Sequence, residues 1–266
     1  MKPLKVLVAC EYSGTVRDAF IRLGHDAMSC DLLPTDIPGP HYQGDVFDVI
    51  NDGWDLMIAH PPCTYLSVSG MHWTTRGLRD PQLTEDALDF VRRLMTANIP
   101  RIAIENPVSV ISSRIRKPGQ IIQPWWFGDN ASKKTCLWLK GLPKLELYIP
   151  DVCPPAGWGR VMGAADMLEC ECCGEPFCPE CNAHYADCEC IGPTEDDVTL
   201  KSVDGVLFGT RISPAPKMRW ANQTESGQNK LAPSPDRWKE RSKTYQGIAD
   251  AMADQWSKSY EQKPIR

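Results

Sequence analysis

No stretch of the 266 residues stays apolar for the roughly 18 residues that a membrane span needs. The opening run, Met1-Lys2-Pro3-Leu4-Lys5-Val6-Leu7-Val8-Ala9, has neither the longer apolar core nor the small-residue cleavage site of a secretory leader. A soluble intracellular protein without a membrane partner is therefore expected. Positive charge is also scarce: 29 Lys and Arg stand against 34 Asp and Glu, a net charge of −5 that excludes a simple basic nucleic-acid binder. Cysteine is sparse outside one window, with seven of the twelve lying between Cys170 and Cys190. In a reducing compartment such a cluster points to metal rather than disulfides. A glycine-rich dinucleotide fingerprint is missing too, because the first turn carries one glycine, Gly14, instead of three.

The mean charge hides a pattern. Residues 114–144 carry seven Lys/Arg against one acid, and residues 211–243 carry eight against three. Residues 166–204 carry one Lys against eleven acids. An acidic insertion thus masks two basic stretches that could face phosphates, or that simply form solvated surface.

Periodicity predicts a β-turn-α-β start. Lys5 to Cys10 is apolar like a central parallel strand, and Glu11 to Thr15 is a turn. Val16, Ala19, Phe20 and Leu23 have helical spacing closed by Gly24, and His25 to Asp31 is a strand ending on an acid. That arrangement suits a nucleotide-like cofactor, and it equally suits an ordinary first unit of an α/β fold. Gly44-Asp45-Val46-Phe47 reads as a short third strand with an acid at its tip. Leu56 to Ala59 is a buried strand stopped by Pro61-Pro62, which presents Cys63 on the following loop. Thr64 to Asp80 reads as a polar loop, Leu83 to Met95 as an amphipathic helix, and Arg101 to Ile104 as a strand ending in Glu105-Asn106-Pro107. Taken singly, Cys63 is a buried turn cysteine or a nucleophile, and Glu105 is a surface carboxylate or an acid catalyst.

Pro61-Pro62-Cys63 after one strand and Glu105-Asn106-Pro107 after another some forty residues on, in register with that start, resemble the C5-cytosine DNA methyltransferases, in the form of a short phage-type member with a zinc-binding insertion. The resemblance implies an α/β class, a Rossmann-like S-adenosylmethionine-dependent methyltransferase sheet with a small zinc-stabilised second domain. Residues 1–145 plus 241–266 would form the catalytic domain, and 146–240 the target recognition region with a zinc knuckle at 170–190. Cys63 would be the nucleophile on a loop shaped by Pro61 and Pro62. Glu105, its pKa raised, would donate to the base N3, with Asn106 beside it. Lys134, or Lys133, would stabilise charge at the base O2. Tyr12 would adjoin the cofactor adenine, Ser13-Gly14 would form the cofactor turn, Asp31 would hold the ribose and Asp45 the adenine amino group. Tyr245 to Met252 resembles the last family motif, so Ile248 and Ala249 would line the methionine end. Ser67, Ser69 and Gly70 would lie on the loop that closes over the base. The partner would be double-stranded DNA with a flipped cytosine, touched by Arg211, Lys217, Arg219 and Lys239, and the enzyme a monomer in the cytoplasm of a bacterium or phage-infected host cell. The chain departs from the family at Gly14-Thr15-Val16-Arg17, where further glycines are usual, and Glu11 enters beside that turn. Cytosine-5 methylation of RNA, transfer of a group other than methyl, and a catalytically silent zinc-containing DNA-binding protein stand as alternatives.

The cysteine window itself predicts structural zinc. Cys170, Cys173, Cys178 and Cys181 form two Cys-x-x-Cys pairs, and His184, Cys188 and Cys190 add ligands, as does Cys172. One ion needs four of these groups, so the ligand set and the number of ions stay open.

Overall fold

Strands buried on both faces read as continuous apolar runs, and two such runs form the middle of the fold: β1 (Lys5–Ala9) and β4 (Leu56–Ala59). The computed structural model describes residues 2–129, 131–146, 168–169, 176–177, 198–203, 206–211, 221–222, 231, 234 and 237–262. The chain divides into two units. One comprises Met1–Asp129, Lys133–Glu146 and Pro233–Arg266, the other Asn130–Ser132 and Leu147–Ala232.

In the first unit, β1 leads through α1 (Thr15–Arg22) to β2 (Asp26–Asp31), β3 (His41–Gln43) and α2 (Val46–Val49). After β4 come α3 (Val68–Thr75), α4 (Gln82–Met95), β5 (Arg101–Pro107), α5 (Ile111–Arg114), β6 (Gln120–Ile122) and β7 (Thr135–Lys140). Two helices, α6 (Arg237–Ser242) and α7 (Gln246–Gln262), complete it. The seven strands form one sheet in the order β3-β2-β1-β4-β5-β7-β6. Strands β1 to β5 pair in parallel, while β7 runs antiparallel to both β5 and β6. Successive strand residues face opposite sides. Val6, Val8, Leu56 and Ile58 accordingly pack with Phe20 of α1 and Trp256 of α7. Leu7, Met57 and Ala59 pack in a second cluster with Leu88 and Val91 of α4. The result is a mixed α/β fold of three layers.

Three sequence expectations change. The third strand is His41–Gln43 instead of residues 44–47, because the Asp45 carboxylate accepts from Phe47 N–H at 3.0 Å and starts α2 there. Glu105-Asn106-Pro107 lies within β5, because antiparallel β7 runs alongside and pairs Glu105 with Leu137, Asn106 with Cys136 and Pro107 with Thr135. The stretch after Cys63 holds a helix, α3, which buries none of its side chains.

In the second unit, β8 (Leu168–Glu169) pairs with β9 (Pro176–Phe177), and β10 (Val198–Val203) with β11 (Val206–Arg211), both antiparallel. The expected zinc ligands at 170–190 lie outside the described residues. Among the described residues no group of three or more His, Cys, Asp or Glu is placed to hold a metal. No helix among them is long and apolar enough to cross a membrane.

Candidate active site

The sheet order changes direction at β1: β2 and β3 lie to one side, β4 and β5 to the other. In open α/β sheets ligands bind in the crevice outside the carboxyl ends of the strands at such a point. Register decides what reaches it. Ala9 pairs with both Cys30 and Ala59, and Ala59 pairs with Ile104. The residues that follow in the chain, Cys10-Glu11, Asp31, His60 and Glu105, therefore come to one rim.

Cys63 stands three residues beyond His60 on a tight turn. Its carbonyl accepts from Ser67 N–H at 2.8 Å and Leu66 N–H at 3.1 Å. Strand β5 secures this turn: the Asn106 Nδ2 donates to the Pro61 carbonyl at 2.7 Å, and Asn106 is only 1% exposed. The next residues of both segments are also joined, with Val110 N–H donating to the Leu66 carbonyl at 3.0 Å. Asn106 thus acts on the Cys63 turn through the backbone. Pro61 is buried in the turn, while Pro62 is exposed.

The charges around Cys63 oppose each other. Burial pushes its thiol up and the Glu105 carboxylate pushes the same way, while Lys133 and Arg241 of α6 pull it down. Glu105 is 8% exposed, and burial alone would raise its pKa. The ammonium of Lys133 and the hydrogen bonds from His60 and Thr135 outweigh burial and hold it below the ordinary 4.5. This corrects the raised value expected for Glu105: in the folded protein it is a carboxylate at neutral pH. The two lysines also differ. Lys133 bears on both Cys63 and Glu105, whereas Lys134 is exposed and bears on Cys136. Removing the nearer cation should raise the Cys63 thiol further. Lys133→Met is expected to slow iodoacetamide alkylation of Cys63 by roughly three- to tenfold at mildly alkaline pH, and Lys134→Met to leave it unchanged, measured by mass spectrometry of the Cys63 peptide.

The residues expected to hold a cofactor divide into two groups. Ser13 and Gly14 form the turn before α1, and Gly14 adopts φ 75° at its N-cap. A Cβ there would meet the Arg17 guanidinium at 2.6 Å, so glycine is needed for space as well as conformation. The Asp31 carboxylate stands at the end of β2, partly buried, accepting from Leu33 N–H at 2.9 Å. Asp45 is exposed and caps α2. The other positions are engaged within the protein. Tyr12 is 6% exposed, its hydroxyl donates to the Lys239 carbonyl, and its ring lies against Trp238. Ile248 and Ala249 belong to the core cluster that joins α1 and α7. Of the expected DNA contacts, Lys217 and Arg219 lie outside the described residues. Arg211 ends β11, and the Lys239 ammonium sits 5.8 Å from the Trp238 ring centroid.

A scan against protein-family models finds no match. No curated protein matches the chain either. Among solved structures, the chain is similar to the Entamoeba histolytica methyltransferase EhMeth, at 16% identity and a TM-score of 0.40, over 55% of this chain and 57% of that one. At that level the chemistry has to be argued from the rim itself.

Three residues outside the expected site matter here. Glu11, 4% exposed, accepts from Val16 N–H at 2.7 Å and Arg17 N–H at 3.2 Å, so a carboxylate occupies the first turn of α1. Arg17 is fully buried and donates to Asp18, Ser29, Thr35 and the Ile37 carbonyl. It ties α1 to β2 and the loop after it. His60 places Nδ1 3.3 Å from Glu105 Oε2. Its position directly before Pro61-Pro62 at a strand end was the available signal. Together the rim offers a thiol, a carboxylate, an imidazole and a cation. Those groups permit nucleophilic addition to an electron-poor ring, with proton and charge management at the ring's polar edge.

Proposed function

We propose that the protein is an S-adenosylmethionine-dependent DNA (cytosine-5-)-methyltransferase acting on a flipped-out cytosine. The observation that carries the reading is the meeting of Cys63, Glu105 and Lys133 at the carboxyl edge of β4 and β5, next to the change of strand order at β1. Any thiol could be alkylated. A thiol that shares its surroundings with a buried carboxylate and a cation suits a pyrimidine, which presents an electrophilic carbon, a ring nitrogen and a carbonyl oxygen at matching positions.

The cofactor side fits at the strand ends. The small Ser13-Gly14 turn opens α1, whose first N–H groups are taken by the Glu11 carboxylate, and the carboxylate of Asp31 ends the neighbouring strand, where such a unit places a ribose partner. Asp31, Ser13 and Gly14 would hold S-adenosylmethionine, with Tyr12 shaping the pocket from behind. When bound, the cofactor supplies an electrophilic methyl group on a sulfonium centre.

The chain's own residues do the rest. C5 of cytosine is too weak a nucleophile unaided. Cys63 releases its proton to solvent, with Lys133 and Arg241 favouring the thiolate, which then adds to C6 and moves electron density onto C5 and the ring's polar edge. Glu105 protonates N3 as that density develops, and Lys133 balances charge at O2. Asn106 keeps the Cys63 turn seated against β5 while the bond forms. After transfer, loss of the C5 proton and departure of Cys63 restore the ring. Because ring carbon C6 is inaccessible within a stacked duplex, the base has to leave the helix first.

The test is product analysis. Purified protein incubated with S-adenosylmethionine and unmodified duplex DNA, then digested to nucleosides, should yield deoxycytidine heavier by about 14 Da, identified as 5-methyldeoxycytidine by mass spectrometry. 5-Methylcytidine appearing only on RNA would replace the substrate and keep the chemistry. Absence of methylated cytosine on either would overturn the reading.

A further inference from the structure

The proposed chemistry leaves a gap in the proton count. Glu105 must give a proton to the ring, yet in the folded protein it is a carboxylate. Some group has to supply that proton without opening the site to water.

We infer that His60 is the proton reserve of Glu105, so that a His60–Glu105 pair serves as the general acid of the site. The inference rests on the methyl-transfer reading above. Four observations carry it. His60 Nδ1 lies 3.3 Å from Glu105 Oε2, and an ionised carboxylate only accepts, so Nδ1 is the donor. The two side chains are 7% and 10% exposed, which keeps the exchange out of bulk solvent. Register enforces the contact, since Ala59 pairs with Ile104 and the next residues on each strand are His60 and Glu105. His60 Nε2 is buried and has no hydrogen-bond partner among the described residues, so the ring is not committed elsewhere.

Charged and polar groups surround the pair. Glu105 faces Lys133 and Thr135 from the β7 side and Cys63 from the turn after β4. The imidazole also bears on Glu11, in the turn after β1, and on Asp31, at the end of β2. These groups fix where charge can move. The step starts from an imidazolium–carboxylate pair: as the Cys63 Sγ–C6 bond forms and electrons of the ring shift toward N3, the His60 Nδ1 proton passes to Glu105 Oε2 and on to N3, leaving Glu105 the carboxylate it began as and His60 a neutral imidazole. When the Sγ–C6 bond breaks, the ring nitrogen returns the proton along the same path.

The experiment compares the pH profiles of kcat and KM for wild type, His60→Gln and His60→Asn on duplex DNA. Both variants should retain the wild-type far-UV spectrum, and Asn preserves a donor near the position of Nδ1 without being able to exchange a proton. The limb of the profile that belongs to the acid should move toward low pH by about one unit or more in both. At neutral pH kcat should fall roughly 10²-fold with KM for DNA within about twofold. Limbs that stay in place while the rate is merely scaled down would overturn the inference, as would full rescue by asparagine, which would reduce His60 to a hydrogen-bond donor. Wild type provides a readout that needs no variant to function. Trapped on DNA carrying 5-fluorocytosine, whose C5 substituent cannot leave as a cation, it should show the His60 imidazole carbon resonance of a neutral ring. An unchanged resonance counts against the proposal. Wild-type protein that makes no 5-methylcytosine sinks the methyl-transfer reading itself, whereas active wild type with unmoved limbs in both variants sinks only the role of His60.

Discussion

Cys63→Ser should lose methyl transfer by roughly 10³-fold or more while keeping its fold, because a hydroxyl at this position has no means of activation. The thiol is already held up by burial and by Glu105. Lys133 and Arg241 offset that only in part, and a serine hydroxyl starts many pH units less acidic than a thiol. The residue within reach that could accept its proton, Glu105, is needed in the opposite role. Raising the pH therefore does not rescue the variant within the range where the protein stays folded. Two measurements check this together: transfer of a labelled methyl group to duplex DNA, and a denaturing gel for the protein–DNA adduct on 5-fluorocytosine. Wild type should give both and Cys63→Ser neither, with a melting temperature within about 2 °C of wild type because one partly buried sulfur is exchanged for oxygen. Retained transfer in the serine variant would remove Cys63 from the mechanism and return it to the bland reading of a turn cysteine.

The largest effect on stability is expected at Gly247. A Cβ there would lie 2.0 Å from the Phe127 carbonyl oxygen, 2.9 Å from its carbon and 2.7 Å from Asp129 Oδ2. Backbone atoms cannot swing aside as a flexible side chain can. The Gly247 amide also donates to Asp129 Oδ2 at 3.0 Å, so any retreat of the helix breaks that bond. Helix α7 carries Ile248, Met252 and Trp256 into the core beside α1 and β1, and a shift at its first turn is transmitted to all three. Gly247→Ala should cost about 3 kcal/mol, at the upper end for an overpacked contact, and lower the melting temperature by about 6–12 °C. Thermal unfolding followed by circular dichroism reads this directly. An unchanged melting point would mean that α7 does not seat against the Phe127–Asp129 turn.

Gly247 also explains a motif physically. Tyr245 to Met252 is recognisable as a pattern, and the pattern suggests a wall of the cofactor pocket. In the fold, Ile248 and Ala249 are core residues and the glycine is a close-approach site, so the motif's first duty is to dock the last helix.

Much of the fold was legible in local chemistry. Apolar runs buried on both faces, a helical spacing closed by Gly24, and Pro61-Pro62 stopping a strand are consequences of backbone sterics and burial that act within a few residues. They placed β1, α1, β2, β4, α4 and the candidate nucleophile Cys63. Local chemistry failed where competing local bonds or distant partners decide. Asp45 caps a helix where Gly44-Asp45-Val46-Phe47 reads as a short strand, and β5 extends through Pro107 because β7, some thirty residues later, pairs alongside it.

The site divides in the same way. Cys63, Glu105 and Asp31 were identifiable from their positions after predicted strands, since parallel strands deliver their ends to one rim. The electrostatics were not, because they depend on neighbours far apart in the chain. Only the tertiary structure selected Lys133 over Lys134, lowered Glu105 instead of raising it, filled the first turn of α1 with Glu11, and buried Arg17 against β2. It also brought His60 to Glu105 through a register between two strands more than forty residues apart. Residue type and spacing determined which groups stand at the edge of the sheet; burial and the long-range pairing of strands decided which of them carry a charge and which touch.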